Sequence, residues 1–323
     1  QARVFRDALV REGVQVFPLV VPGRRYAREV AEVRRVLHQV RPQALHTHGY
    51  RADVLHSLAG AQTGTPLVTT LHGFTGGGVK NRIYEMLQVR SIRSFAAVVA
   101  VSKPMAALLR ARGVPESRLH VIQNAWRPMT EPESASGARS ELGVAGDAFH
   151  VGWVGRLSEE KGPDLFLAAV RRVSMAVPVV ASIVGDGPLR ASLERSVRRM
   201  GLSDVRFHGA LSGASRLFPA FDVFVLSSRT EGTPMVLLEA LASHVPIIAT
   251  EVGGVPDVVD SRTALLVRPE DPIELSEAIL AVRKDRRTAQ ERADEGAIRL
   301  RERFGEEAWL DRYEGVYASV RPA

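Results

Sequence analysis

Two rhythms of apolar and polar positions alternate along this chain. Short apolar runs bounded by turn residues are followed by longer stretches in which apolar residues recur with the 3.6-residue period of an amphipathic helix. In the first half, runs at 14–20, 44–47, 67–71, 97–101 and 119–122 predict strands, with helices expected near 26–40, 51–62, 81–94 and 103–112. The segment 129–146 is rich in Pro, Ser, Gly and Glu and reads as a linker leading into a short helix. The rhythm then resumes, with strands expected at 149–154, 179–184, 205–207, 223–226, 247–249 and 264–267. Helices are expected near 163–176, 188–200, 234–243 and 271–283, and the tail from 287 to 320 reads as helical. Such alternation predicts an α/β fold, with two parallel sheets covered by helices on both faces and a cleft between the halves. The expected divisions are 1–140, 141–303 and a terminal helix over 304–323. In that helix Trp309, Tyr313 and Tyr317 recur every four residues, an apolar stripe whose default role is packing.

Composition narrows the choices. A chain of 323 residues with 45% hydrophobic and 24% charged residues carries enough apolar material for two packed cores. The absence of cysteine excludes disulfides, thiolate nucleophiles and Cys-based metal sites. No apolar run approaches the roughly 18 residues of a membrane span. The net charge of +7 is unevenly placed: residues 1–140 hold 20 Lys and Arg against 9 Asp and Glu, whereas 141–323 hold 23 against 27. A basic first half predicts an anionic partner, such as a membrane surface. Nucleic acid is not expected, because aromatic residues are only 6% of the chain and no recognition motif interleaves the basic ones.

In open parallel sheets, ligands bind beyond the carboxyl ends of strands. Four loops of the second half follow predicted strands and carry chemistry. Gly155-Arg156-Leu157 through Lys161-Gly162 places two cations beside a helix expected to open at Pro163, an arrangement that favours a diphosphate. Gly185-Asp186-Gly187-Pro188 is a tight turn expected to expose its backbone to a ligand. Glu231-Gly232-Thr233-Pro234-Met235-Val236 opens another helix, with Thr233 as the expected N-cap and Pro234 at the first position. Glu231 and Glu239 suit hydroxyl donors such as those of a sugar or ribose. The pair Gly253-Gly254 permits close approach of backbone to a ligand.

Together these motifs resemble the retaining family 4 of the GT-B glycosyltransferases, the glycosyl transferases of group 1. The E-x7-E pattern matches Glu231 and Glu239, and the G-R-L…K-G element matches 155–162. The resemblance implies a GT-B fold of two Rossmann-like domains facing a cleft, the last helix crossing back to the first domain. It also implies transfer of a hexosyl unit from a UDP-, GDP- or ADP-linked sugar to a glycan or lipid-linked acceptor, as in polysaccharide biosynthesis. Neither metal nor cofactor is required in that scheme, because Arg156 and Lys161 hold the diphosphate. Glu231 would touch the transferred sugar and Glu239 the ribose, with Gly185, Gly187 and the backbone of Gly232, Thr233, Pro234, Met235 and Val236 completing the donor site. Transfer would be front-face, the leaving phosphate helping to deprotonate the acceptor. The place of action is expected to be the cytoplasm, peripherally at the inner face of the membrane. A sugar-nucleotide epimerase and a catalytically silent donor-binding subunit are the alternatives.

The first half supplies the acceptor side. His46-Thr47-His48-Gly49 and Leu71-His72-Gly73-Phe74 end predicted strands. The resemblance assigns His72 to the sugar being transferred and matches His48 to an acceptor-side position, while His46 reads as structural. The loop Thr75-Gly76-Gly77-Gly78 is expected to close over an acceptor or simply to be mobile. Ser102 matches the family's V-S element, but Asn124-Ala125-Trp126-Arg127 departs from its Asn-Gly-Val-Asp pattern. The family also opens with a strand and a Gly-rich loop that have no counterpart here, and residues 2–13 read as the helix after them.

Overall fold

A computed structural model describes residues 2–21, 23, 25–74, 79–128 and 132–321. The loop 75–78 and residues 129–131 of the linker lie outside the described residues. The two rhythms resolve into two parallel sheets. The first has four strands in sequential order: β1 (Leu45–His48), β2 (Leu67–Leu71), β3 (Ala97–Ala100) and β4 (Leu119–Val121). The second holds β5 (His150–Val154), β6 (Val180–Val184), β7 (Val205–Gly209), β8 (Val223–Leu226), β9 (Ile247–Thr250) and β10 (Leu265–Val267). Their order is β10-β9-β8-β5-β6-β7, so the winding reverses between β5 and β8. Helices on both sides of each sheet bury its apolar side chains, which explains why β2, β3, β8 and β9 are buried at every position.

Two apolar cores lie on the faces of the second sheet, one around Phe218, Phe224 and Leu238, the other around Trp153, Phe166 and Ile183. The first sheet packs one face on the helices Val79–Ile92 and Lys103–Ala111 through Ile92, Met105 and Leu109. Its other face receives the last helix, Glu306–Val320, whose Tyr313, Val316 and Val320 pack on Val68, Val99 and Ile122. The terminal helix therefore belongs structurally to the first sheet, although in sequence it follows the second. Trp126 donates its backbone N–H to the Phe304 carbonyl (2.9 Å) where the chain returns.

Two expectations are corrected. Residues 14–20 form no strand; they pair with no ladder partner among the described residues, and Val20 is 83% exposed. A strand is defined by its neighbour, so an apolar run without one stays irregular. The tail is helical as expected, in two helices, Arg286–Arg303 and Glu306–Val320, with Gly305 between them. The helix after Gly187-Pro188 starts at Arg190, two residues later than expected. No described helix is long and apolar enough to cross a membrane.

Candidate active site

The reversal of strand order places the ends of β5 and β8 side by side, and the crevice above such a switch point is where open α/β sheets bind ligands. The loops after these two strands are stitched together. Trp153 donates Nε1–H to Ser227 Oγ (3.1 Å), Ser227 donates to the Gly162 carbonyl (2.7 Å), and Arg229 N–H reaches the Glu160 carbonyl (2.8 Å). Arg229 also bridges Asp164 and Glu270, which holds its guanidinium firmly protonated and depresses Asp164. Above this frame Lys161 Nζ donates to both oxygens of Glu231, at 2.8 and 2.9 Å, and Ser228 Oγ donates to Glu231 Oε1 at 2.6 Å. Residues 70 apart in sequence thus form one charged unit. Arg156 lies exposed nearby in the same loop and makes no ion pair among the described residues. The helix Pro163–Ala176 opens where the spacing predicts.

The glycines of these loops let one loop press closely on another. A Cβ on Gly185 would lie 1.8 Å from the Gly155 carbonyl oxygen, and one on Gly187 would lie 2.4 Å from that of Leu157. These glycines let the turn after β6 press onto the loop after β5, where Leu157 and Asp186 exchange a backbone hydrogen bond (3.0 Å). Gly253 and Gly254 likewise seat against the carbonyls of Glu231 and Gly232, at 2.0 and 1.8 Å from the respective Cβ positions.

Gly232 in turn touches the first half, since its Cβ would stand 2.0 Å from the His72 carbonyl oxygen. Thr233 is not an N-cap. The helix is Met235–Ala242 and its cap is Pro234, because the Thr233 hydroxyl is spent on the Val101 carbonyl at the end of β3. Asn124 Nδ2 donates to the Thr233 carbonyl (3.3 Å), and Lys103 N–H to Asp257 Oδ2 (2.7 Å). The 231–233 loop is therefore clasped by the first half. The first amides of an α-helix lack i−4 partners; at the start of Met235–Ala242, Leu237 N–H donates to the Pro234 carbonyl (3.0 Å).

Beside this clasp a cleft of about 720 Å³ runs between the halves. His72, Asn124, Trp126, Met235, Glu239 and Trp309 are among the residues that line it. Burial pushes the Glu239 carboxyl above its ordinary range. His72, which lines the cleft, ends a ladder of three histidines. His46 stacks on His48 (ring centroids 4.5 Å) and His48 on His72 (5.3 Å), with His48 Nδ1 and His72 Nε2 3.1 Å apart. His46 is satisfied by Tyr317 OH (2.7 Å) and Thr70 Oγ1 (2.9 Å), so it is structural as the sequence suggests. Burial and the neighbouring rings lower His46 to about 4, and burial also lowers His48 and His72, so the ladder is neutral at physiological pH.

The sequence reading missed Asp53. It is fully buried on the helix Tyr50–Thr63 and accepts from Thr47 Oγ1 (2.5 Å), Thr69 Oγ1 (2.7 Å) and Gln88 Nε2 (2.6 Å). Its signal was a lone acid among apolar and small residues on a helix that follows the His-Gly turn.

Residues 148–285 match the family described as glycosyl transferases group 1, and residues 1–125 match a glycosyl transferase 4-like domain. The lipopolysaccharide core biosynthesis glycosyltransferase LpsD of Rhizobium meliloti is 33% identical over 67% of this chain and 62% of its own length. TuaC of Bacillus subtilis, named for teichuronic acid biosynthesis, is 30% identical over 84% of this chain and 71% of its own. Among solved structures, HepE of Anabaena in complex with UDP-glucose superposes with a TM-score of 0.87 over 98% of this chain and 89% of that one, at 24% identity. The chain shares the two-sheet GT-B architecture, and it belongs to the group 1 glycosyltransferases of family 4.

Proposed function

We propose that this protein is a retaining hexosyltransferase that takes its sugar from a nucleoside diphosphate and delivers it to a glycan or lipid-linked acceptor. The observation that carries the reading is the Lys161–Glu231 pair at the β5/β8 switch point, with the Gly232 backbone against His72. Arg156 and Lys161 bind the diphosphate, assisted by the amides that open the helix Met235–Ala242. Glu239 accepts from the ribose hydroxyls. Glu231 and neutral His72 hold the transferred sugar. The bond from the anomeric carbon to the phosphate oxygen breaks as the acceptor oxygen bonds on the same face, and the acceptor proton passes to the departing phosphate. Fixed cations and helix amides stabilise the charge that builds on that phosphate. UDP is the proposed carrier, on the analogy of the HepE complexes.

A thermal-shift panel with UDP, GDP and ADP tests the donor assignment. At about 100 times Kd, a ligand of the folded state adds roughly 2.7 kcal/mol. For a unit of this size that is a rise of about 5–10 °C. UDP is expected to give it, and Glu239→Ala and Lys161→Ala to lose it. If no nucleotide moves the melting temperature, the reading fails.

We also place the enzyme at an anionic membrane surface. On the helix Val79–Ile92, Ile83, Met86 and Leu87 are exposed beside a groove lined by Arg82, Arg90, Arg93 and Arg112, with Glu85 as its one acid among the described residues. Apolar side chains among cations suit an anionic bilayer. Failure to co-sediment with phosphatidylglycerol vesicles at low salt would remove this placement.

A further inference from the structure

Arg229 lies two residues before Glu231, and its side chain is committed to groups other than the Lys161–Glu231 pair. Nη1 and Nη2 fork onto the two carboxylate oxygens of Asp164, at 2.8 and 2.7 Å. Nε and Nη2 donate to Glu270, at 2.5 and 3.2 Å. Nη1 also donates to the Glu159 carbonyl (2.8 Å), while the backbone N–H of Arg229 takes the Glu160 carbonyl (2.8 Å). One residue thus ties the loop after β8 to three segments: the turn Glu159–Lys161, the first turn of the helix Pro163–Ala176, and the segment between β10 and the helix Pro272–Lys284.

An exposed ion pair fixes little. This guanidinium is 24% exposed, and all five of its N–H donors are used. Glu270 makes its contact from a backbone φ of +60°, a conformation that favours glycine. Such a conformation persists where the surroundings over-determine it, and here the fork of Arg229 is one of them.

The turn matters because of what it carries. Lys161 stands on it, and the carbonyls of the two residues before Lys161 are both held by Arg229. The Gly162 carbonyl after it is held by Ser227 (2.7 Å). The backbone on either side of Lys161 is therefore fixed to the loop in which Glu231 stands. A lysine ammonium rides on a flexible four-carbon stem, so its place is set by its backbone anchor and its partner. A diphosphate that draws the ammonium away from Glu231 removes the partner and leaves the anchor to aim it.

We propose that Arg229 is a positioning residue for the donor site: it touches no substrate, and it aims Lys161 at the diphosphate by holding the turn Glu159–Lys161 against the loop after β8. The proposal rests on the transferase reading, in which Lys161 binds the diphosphate.

The test is a double-mutant cycle read in UDP affinity. Calorimetric titration is carried out on the whole protein as parent, Arg229→Gln, Lys161→Met and the double variant, with the melting temperature of each free protein alongside. Salt of about 0.3 M screens the charge of the two acids that Arg229 leaves behind. Arg229→Gln is expected to weaken UDP on the order of 10-fold, the share of a charge-assisted hydrogen bond that a misplaced ammonium forfeits. In the Lys161→Met background the same substitution should weaken UDP less than about twofold, because the group it aims is gone. A merely structural Arg229 would lower the affinity by the same factor in both backgrounds. Should Arg229→Gln fail to fold, the cycle is read with Asp164→Asn, whose carboxylate is half exposed, and a weakening of about threefold is expected, again only where Lys161 is present. If Lys161→Met loses UDP while Arg229→Gln binds it like the parent, or costs the same factor in both backgrounds, the positioning role is refuted and the donor site stands. If the parent binds no UDP, or Lys161→Met binds it like the parent, the donor reading falls and the role with it.

Discussion

Removing Lys161 while keeping Glu231 should destabilise the protein far more than the reverse. The Glu231 side chain is 5% exposed and loses hydrogen bonds of 2.8 and 2.9 Å in Lys161→Met, keeping only the Ser228 hydroxyl. Breaking a fully buried pair from one side costs about 3–5 kcal/mol. Lys161 is 30% exposed and Ser228 remains, so the expected cost here is about 2–3 kcal/mol. Glu231→Gln leaves a lysine that turns to water, at a cost of about 1 kcal/mol. The double variant should recover part of the larger loss, with a coupling of about 1–2 kcal/mol. Urea unfolding followed by tryptophan fluorescence reads this directly, because Trp153 is bonded to Ser227 in the same frame. The ligand responses should diverge as well. In the free protein Glu231 competes with a diphosphate for the ammonium, so Glu231→Gln should bind UDP as tightly as the parent or tighter while losing transfer. Lys161→Met should lose UDP affinity. Equal stability costs, or UDP affinities that fall together in both variants, would refute the idea that the pair stores the phosphate-binding cation.

Glu239 should make donor binding pH-dependent. Burial raises its pKa above 4.5, so the free fold favours the protonated form, and the stability this brings is lost as pH rises through the raised value. Ribose hydroxyls favour the carboxylate, so UDP-glucose affinity should weaken as pH falls from 7.5 through that pKa. Burial lowers the His72 pKa from 6.5, which moves its own protonation toward the acid end of the titration. Calorimetric titration should show a slope for the parent and a weak, flat profile for Glu239→Gln; parallel profiles would exclude Glu239 as the ribose acceptor. Gly232→Ala forces a methyl to within 2.0 Å of the His72 carbonyl oxygen. It should cost roughly 1–3 kcal/mol and part the two halves, visible as a lower urea midpoint and a larger radius of gyration by small-angle scattering; unchanged values would mean that the clasp does not form in solution.

Most elements were legible in the sequence because their causes are local. Alternation of apolar runs and helical periods depends on residues within one turn or one strand, and ten of the expected runs became strands with edges moved by a residue or two. The run at 14–20 had the same local pattern and failed, because a strand also needs a ladder partner, which no local pattern encodes. Motif residues were legible as chemistry, but not the use to which the fold puts them. Thr233 reads as a helix cap until β3 brings the Val101 carbonyl to its hydroxyl. Gly185 reads as a turn residue and Gly254 as a point of close backbone approach, and the fold shows which loop their missing side chains admit.

The sequence by itself determined an α/β chain, the residue types of the candidate site and their places after strands. Strand order was decided only in three dimensions. By setting β5 beside β8, the fold paired Lys161 with Glu231. By returning the last helix to the first sheet, it held His46 and, through stacking, the neutral ladder ending at His72. Burial, desolvation and pairing between distant residues depend on which surfaces meet, and that is a property of the closed chain rather than of any segment.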